Sequence, residues 1–158
     1  MGIATQTGFD AVLRYNPKYI VSMDSDGQHS ADDLDKVIKL LVTGEAHAVI
    51  GVRPLEDMPR SRNYANAIMN FLTKIFYRVD VSDSQTGFRA VTLDALNEIS
   101  INATGYLISS EFIREINDND IPFAEVAIET IYTPETQAKG TNTTAAIKIL
   151  LQMIKHQF

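Results

Sequence analysis

Two patterns of apolar and polar positions alternate along the chain and predict strands and helices in turn. Short apolar runs, typical of buried strands, cover residues 19–23, 47–52, 87–92 and 123–132. Apolar residues at helical spacing, typical of amphipathic helices, lie after Ser30 and over 65–76, 108–116 and 146–154. Strands that alternate with helices indicate an α/β sheet with helices packed on it. We therefore predict a single α/β domain over residues 1–158.

Two of the predicted helices carry more specific expectations. Ser30 is expected to cap the N-terminus of the helix that follows it. A serine hydroxyl at this position accepts a hydrogen bond from one of the first backbone N–H groups of the helix, which have no partner within it. The apolar residues of the helix after Ser30 are expected to face the sheet, and the helix over 65–76 carries one apolar stripe in which Met69 is expected to lie in the core. This stripe comprises Ala65, Ile68, Met69, Leu72, Ile75 and Phe76.

Composition narrows the class of protein. The 158 residues, 45% of them hydrophobic, are enough for a globular core rather than a disordered chain. The net charge of −6 argues against a general nucleic-acid binder. The absence of cysteine excludes disulfides, thiolate zinc sites and cysteine nucleophiles. Neither a signal peptide nor a membrane span is visible, so we predict a cytoplasmic protein, with peripheral contact to the membrane left open.

The chemistry begins at the end of the first predicted strand, in the run Asp24-Ser-Asp26-Gly-Gln28-His29. Because alternate side chains of a strand share a face, Asp24 and Asp26 are expected on the same side. Carboxylate oxygens suit Mg²⁺ or Mn²⁺, and Gln28 offers a third oxygen. A solvated loop of turn-forming residues explains the same tripeptide about as well.

Three further groups of residues add to this picture. Arg53 follows the second strand and Arg62 precedes the long helix, and arginine is suited to bidentate phosphate binding. A polar turn over 83–90 feeds a strand that carries Arg89, while Glu111 lies on a predicted helix. Each arginine is equally explained as an exposed solubilising charge. Glu111 is either a surface charge or a carboxylate directed into a site.

Taken in order, these motifs resemble family 2 glycosyltransferases of the GT-A type, especially the dolichyl- and polyprenyl-phosphate sugar synthases. The matching segments are Asp24–His29, Gly51–Arg53, Arg62 with Asn66 and Asn70, Asp83–Ala90, Gly105-Tyr106 with Glu111, and Glu125–Ile128. The resemblance implies a partial GT-A fold, a mixed and mostly parallel sheet with helices on both faces. It departs from the family at Val52, where relatives commonly have serine, and at Ala127, where proline is usual.

The resemblance also implies an activity. A sugar would pass with inversion from a UDP- or GDP-linked donor to a polyprenyl phosphate or sugar acceptor, assisted by Mg²⁺ or Mn²⁺. The implied metal ligands are Asp24, Asp26 and Gln28. The implied catalytic residues are Asp26, Arg89 and Glu111, and the implied substrate-binding residues are Arg53, Arg62, Thr86, Gly87 and Tyr106. A sugar hydroxyl acceptor would need Glu111 as general base, whereas a phosphate acceptor needs no strong base.

The family's first βα units, which hold the nucleoside, have no counterpart in this sequence. A catalytically silent GT-A-like binding module therefore remains an alternative, and a nucleotidyltransferase is a weaker one. Without those strands, one edge of the strand over 19–23 is expected to be open. We expect the chain to form a homo-oligomer or to pair with a chain that supplies the strands.

The predicted final helix has a broad apolar arc interrupted by Lys148, Lys155 and His156. Such a helix suits the interface of a membrane, although packing on its own domain or on a second copy explains it as well. Packing is the commoner explanation of such a stripe, and peripheral contact at the cytoplasmic membrane face stays an alternative hypothesis.

Overall fold

The computed structural model describes residues 2–56, 58–101 and 107–131. Its strands are β1 (Tyr19–Ser22), β2 (Ala48–Val52), β3 (Arg89–Thr92) and β4 (Phe123–Ala127). Its helices are α1 (Gly2–Leu13), α2 (Leu34–Val42), α3 (Arg60–Tyr77), α4 (Leu93–Glu98) and α5 (Leu107–Asp118), with a 3₁₀ turn (Ala31–Asp33) before α2.

The four strands form one mixed sheet in the order β1-β3-β2-β4. β3 runs antiparallel to both β1 and β2, while β2 and β4 are parallel. Arg89, the first residue of β3, lies opposite Ser22 near the end of β1 and opposite Ile50 on β2. The loops that leave β1 and β2 and the loop that enters β3 therefore lie together at one end of the strands. We call this end of the sheet the shared edge.

Helices cover both faces of the sheet, as the GT-A resemblance implies. On one face Ile20, Ala48 and Val91 pack against residues of α4 and α5, with Phe9 and Val12 of α1 alongside. On the other face Val49, Ala90 and Ile128 pack against α2 and the buried Phe88. This arrangement follows from the alternation of side chains along each strand, and the predicted α/β class is confirmed.

The long helix α3 does not bury the whole of the apolar stripe that the sequence shows. Its buried residues are Asn66, Met69 and Thr73, whereas Ile68 and Ile75 are more than half exposed. Met69 lies in the core, as the sequence predicts, whereas these two isoleucines of the same apolar stripe lie on the exposed side. The physical reason is a polar contact, because Asn70 reaches the loop before β3 and sets the rotation of the helix.

The other predicted helices and strands among the described residues are present, although their first and last residues differ from the predicted ones. Ser30 accepts a hydrogen bond from Asp32 N–H, and α2 buries Val37 and Leu41. The last predicted strand ends at Ala127, although Thr130 still forms a bridge with His29. Helix α4 was missed, since six residues are too few for a periodic pattern. The predicted final helix lies outside the described residues.

Candidate functional site

The turn after β1 is fixed by its own side chains. Gly27 has a φ of 79°, which glycine adopts without strain. Asp26 is exposed, and its Oδ1 accepts a hydrogen bond from Gln28 N–H at 3.0 Å. With the Gln28 amide oriented to satisfy both of its ends, Nε2 donates to Asp26 Oδ2 at 3.2 Å and Oε1 accepts from Arg62 at 3.0 Å. Gln28 therefore joins the acidic turn to the start of α3.

Asp24 lies against the loop that enters β3. A Cβ atom on Gly87 would fall well under 3.0 Å from the Asp24 carboxylate, closer than nonbonded atoms approach. Ser22 Oγ also donates to the Gly87 carbonyl at 3.2 Å, holding the two segments together. Gly87 is thus required by the close approach of the Asp24 carboxylate.

Neighbouring side chains lower the pKa of the Asp24 carboxyl. His29, whose Nε2 lies 3.7 Å from Asp24 Oδ2, is the main cause of a lowered pKa for this carboxyl. Partial burial raises the pKa of Asp24, while the charges of Arg89 and Arg53 lower it further. His29 is itself buried, with its ring edge-on to Phe88 at 5.4 Å. The carboxylate of Asp24 is therefore available as a ligand at neutral pH.

Asp83 holds Arg53 at the same edge of the sheet. The completely buried carboxylate of Asp83 accepts from Arg53 Nε at 2.6 Å and from a terminal guanidinium nitrogen at 2.8 Å. It also accepts from the backbone N–H of Arg53 at 3.2 Å. Asp83 belongs to the motif over 83–90 that the sequence shows, but no local signal in the sequence indicates this role. The pairing fixes the guanidinium in one orientation, as bidentate pairs do.

Arg89 lies behind this site rather than on its surface. It is 7% exposed, it packs over the Phe112 ring with 5.1 Å between guanidinium carbon and ring centroid, and it donates to the Ser84 carbonyl at 3.4 Å. Burial lowers the pKa of Arg89 to about 10, while Asp83 and Asp24 act in the opposite direction. It remains a cation at neutral pH and acts on the site through its charge.

Three other residues, Thr86, Glu111 and Tyr106, were predicted to belong to the site. Thr86 is completely buried and accepts a hydrogen bond from Phe88 N–H at 3.2 Å. Glu111 is 4% exposed on α5 and accepts from Arg114 at 3.4 Å. Its neighbour Ser110 contacts Gln85, so this part of α5 adjoins the turn before β3. Tyr106 lies outside the described residues.

The structure thus gathers most of the predicted site at one edge of the sheet. Within the three described ranges, no cluster of three or more histidine, aspartate or glutamate side chains is arranged to hold a metal ion. The two carboxylates of this turn are hard ligands that suit Mg²⁺ or Mn²⁺ when substrate phosphates complete the coordination. The Gln28 amide oxygen could join them only by giving up its hydrogen bond from Arg62. The arrangement can therefore hold a cation jointly with a phosphorylated substrate, beside the arginines.

Comparison with known proteins identifies the family. The sequence profile of glycosyl transferase family 2 matches residues 1–100. An uncharacterised protein of Methanocaldococcus jannaschii is 35% identical over 98% of this chain and 66% of its own length. The UDP-N-acetylglucosamine–dolichyl-phosphate N-acetylglucosaminyltransferase of Methanococcus voltae is 32% identical over 98% of this chain and 64% of its own length. The chain therefore spans slightly less than two thirds of these relatives.

More distant relatives agree. The polyprenol monophosphomannose synthase of Mycolicibacterium smegmatis is 26% identical over 81% of this chain and 51% of its own length. A solved structure, glucosyl-3-phosphoglycerate synthase from Mycobacterium tuberculosis, shares the fold with a TM-score of 0.63 at 16% identity, covering 92% of this chain and 52% of that one. Profile, relatives and fold agree, and the chain belongs to glycosyl transferase family 2.

Proposed function

We propose that this chain is the metal- and acceptor-binding part of an enzyme that transfers a sugar from a nucleotide-diphospho-sugar to a polyprenyl phosphate with inversion at the sugar carbon. The observation that carries the proposal is the meeting of an acidic turn, Asp24 to Gln28, with Arg53 and Arg62 at one edge of the sheet. The activities for which the Methanococcus voltae and Mycolicibacterium smegmatis relatives are named support the same substrate classes.

In this proposal, Asp26 and Gln28 hold Mg²⁺ or Mn²⁺ together with the donor diphosphate, and Asp24 contributes directly or through water. When bound, the cation stabilises the negative charge that develops on the departing nucleoside diphosphate. The exposed carboxylate of Asp26 and the lowered pKa of Asp24 support this assignment. Gln28 binds the metal in this scheme by exchanging the hydrogen bond that its amide oxygen accepts from Arg62, which leaves the Arg62 guanidinium available to a substrate phosphate.

The arginines take the substrate phosphates. Arg53, oriented by Asp83, and Arg62 bind the acceptor phosphate or the leaving diphosphate by charge-assisted hydrogen bonds. Arg89 adds its charge from a buried position at the start of β3. Gly87, which lies between Thr86 and the Phe88 N–H that bonds to the Thr86 hydroxyl, leaves room for the Asp24 carboxylate. A phosphate acceptor is already an anion and needs no strong base. Glu111 becomes the general base, and Tyr106 a contact, only if the acceptor is a sugar hydroxyl.

Asp26→Ala tests the assignment. We expect metal-dependent transfer from UDP- or GDP-sugars to polyprenyl phosphate to fall roughly a hundredfold or more, as for the loss of other charge-stabilising groups. Asp35→Ala, an exposed acidic residue in the first turn of α2, is the matched control and should leave transfer unchanged. Nearly unchanged turnover of the Asp26 variant would refute the metal assignment. Calorimetry that detects no Mn²⁺-dependent nucleotide binding by the folded chain would favour the silent binding module instead.

We also propose that the open edge of β1 is an assembly surface. Among the strands that the structure describes, β1 is the outermost: it pairs with β3 along one side and with no strand along the other side, its open edge. Helix α1 packs Phe9 and Val12 onto the core cluster that contains Ile20 of β1. Unpaired backbone groups on a strand edge are a template for pairing with another chain. A two-fold dimer, or a chain that supplies strands, satisfies them.

A second surface suits the membrane on which a polyprenyl phosphate resides. On α3, Tyr64, Ile68, Phe71 and Ile75 are all more than half exposed, and their spacing places them along one face. Exposed basic residues, Arg60 and Arg78, flank this face, and α3 contains no acidic residue. This charge pattern matches an anionic bilayer. Across the described residues, no helix is long and apolar enough to span a membrane.

One set of centrifugation experiments tests both surfaces. We expect sedimentation equilibrium to show a dimer at micromolar concentration, and a cooperatively folded monomer would refute the assembly proposal. We expect the chain to float with anionic vesicles, and Ile68→Ser with Phe71→Ser to abolish flotation because both side chains are exposed. Val42→Ser, an exposed apolar residue of α2, is the control. Flotation that survives the double substitution would exclude the α3 face.

A further inference from the structure

The three residues of the 82–84 loop are held by two side chains from distant parts of the chain. Asn70, in the middle of α3, donates from Nδ2 to the Ser82 carbonyl at 2.6 Å and accepts from Ser84 N–H at 2.8 Å. Its amide therefore bridges the two residues that flank Asp83. An amide is the side chain that offers a donor and an acceptor together in this geometry.

Glu125 of β4 holds the other side of the same loop. One carboxylate oxygen accepts from Ser82 N–H at 2.6 Å, and the other accepts from Ser82 Oγ at 2.7 Å. Asn70 and Glu125 together occupy every hydrogen-bonding group of Ser82. Both hydrogen bonds to Glu125 are charge-assisted, and such bonds are stronger than those between neutral groups.

The residue between these anchors is Asp83, which is completely buried and clamps Arg53 through two side-chain hydrogen bonds. Arg53 lies just beyond β2 and has its own backbone N–H bonded to the same carboxylate. Displacement of the loop backbone therefore moves Asp83, and with it the guanidinium that it orients.

We propose that Asn70 and Glu125 are positioning residues for Arg53. They fix the 82–84 loop so that Asp83 presents the Arg53 guanidinium toward the substrate phosphate. Neither residue touches the reacting groups in this scheme. The inference rests on the proposed function in one respect, namely that Arg53 binds a phosphate of the donor or the acceptor.

The hydrogen bonds predict which substitutions are tolerated. Glu125→Gln keeps an oxygen for Ser82 N–H, and its NH₂ group can donate to Ser82 Oγ, which also accepts. Glu125→Ala removes both contacts. Asn70→Asp keeps the shape of the side chain but places an oxygen against the Ser82 carbonyl, so the donor is lost and the two oxygens repel. The glutamine variant should therefore resemble the original chain, and the other two should not.

The first test measures Arg53 directly and needs no activity. In nuclear magnetic resonance spectra, hydrogen exchange of Arg53 Nε–H should be at least about tenfold faster in Asn70→Asp and Glu125→Ala, which corresponds to the loss of about one net hydrogen bond. Glu125→Gln should remain near the original rate. Asn119→Ala and Glu129→Gln, both exposed, are controls expected to change nothing. Unchanged Arg53 exchange in both Asn70→Asp and Glu125→Ala would overturn the inference.

The second test uses sugar transfer and separates the two proposals. Asn70→Asp should raise KM for the phosphate substrate roughly ten- to a hundredfold, the range that small misplacements cost. It should add little in an Arg53→Ala background, because its effect passes through Arg53. Glu125→Gln should restore what Glu125→Ala loses. A full Asn70→Asp effect without Arg53 would overturn the inference. If Arg53→Ala alone leaves KM unchanged, the phosphate role of Arg53 fails instead, and the exchange result stands by itself.

Discussion

Replacing Gly87 with alanine is expected to lower sugar transfer by about a hundredfold while the chain stays folded. The new Cβ would fall well under 3.0 Å from the Asp24 carboxylate, so this carboxylate must rotate away or the loop must shift. A displacement of about 1 Å at a catalytic group can cost two orders of magnitude in rate. Steady-state kinetics measure the loss of sugar transfer, and a circular dichroism spectrum shows whether the chain stays folded. Metal affinity should fall together with the rate.

Gly8→Ala provides the matched control for this substitution. Gly8 lies on α1 with nothing within 4 Å of the added Cβ, and alanine favours a helix over glycine. This variant should keep full activity and equal or greater stability. If the Gly87→Ala variant is as active as the Gly8→Ala variant, then the position of the Asp24 carboxylate does not matter for transfer. That result would refute the role of Asp24 as a metal ligand.

Asp83→Ala is expected to destabilise the folded chain by about 3–5 kcal/mol, the usual result of removing one partner of a buried ion pair. The carboxylate is completely buried, and its loss leaves Arg53 without this partner and Arg89 with one compensating carboxylate, Asp24, instead of the two that it has in the original chain. Urea unfolding followed by circular dichroism gives the free energy of unfolding. A large part of the loss should be recovered by Arg89→Met in the same chain, because the incompletely compensated buried cation is then absent.

Asp80→Ala tests whether burial is the cause. Asp80 lies three residues earlier, has a side chain that is 75% exposed and pairs with Lys74 on the surface. Exposed pairs contribute about 1 kcal/mol or less, so this variant should be nearly as stable as the original chain. Equal losses for the Asp83 and Asp80 variants would mean that the buried pairing with Arg53 adds no particular stability.

Elements and motifs with local signals were predictable from the sequence. The apolar runs located all four strands, and the acidic turn after β1 was recognised from consecutive residues. The contacts that orient the site were not predictable, because they join residues far apart in sequence. Asp83 meets Arg53 across 30 positions, and Ser82 meets Glu125 across 43. The polar inner face of α3 has the same origin, since Asn70 finds its partners in a loop 12 residues away.

The position of β3 limits how this part of the chain can vary in length. Its register is set twice, since Arg89 lies opposite Ser22 of β1 and opposite Ile50 of β2. Gain or loss of one residue within β3 would turn its later side chains to the opposite face, because successive side chains of a strand alternate. Two neighbouring strands would have to shift together to compensate. Length changes are therefore excluded from this strand and are tolerated only in loops away from the shared edge.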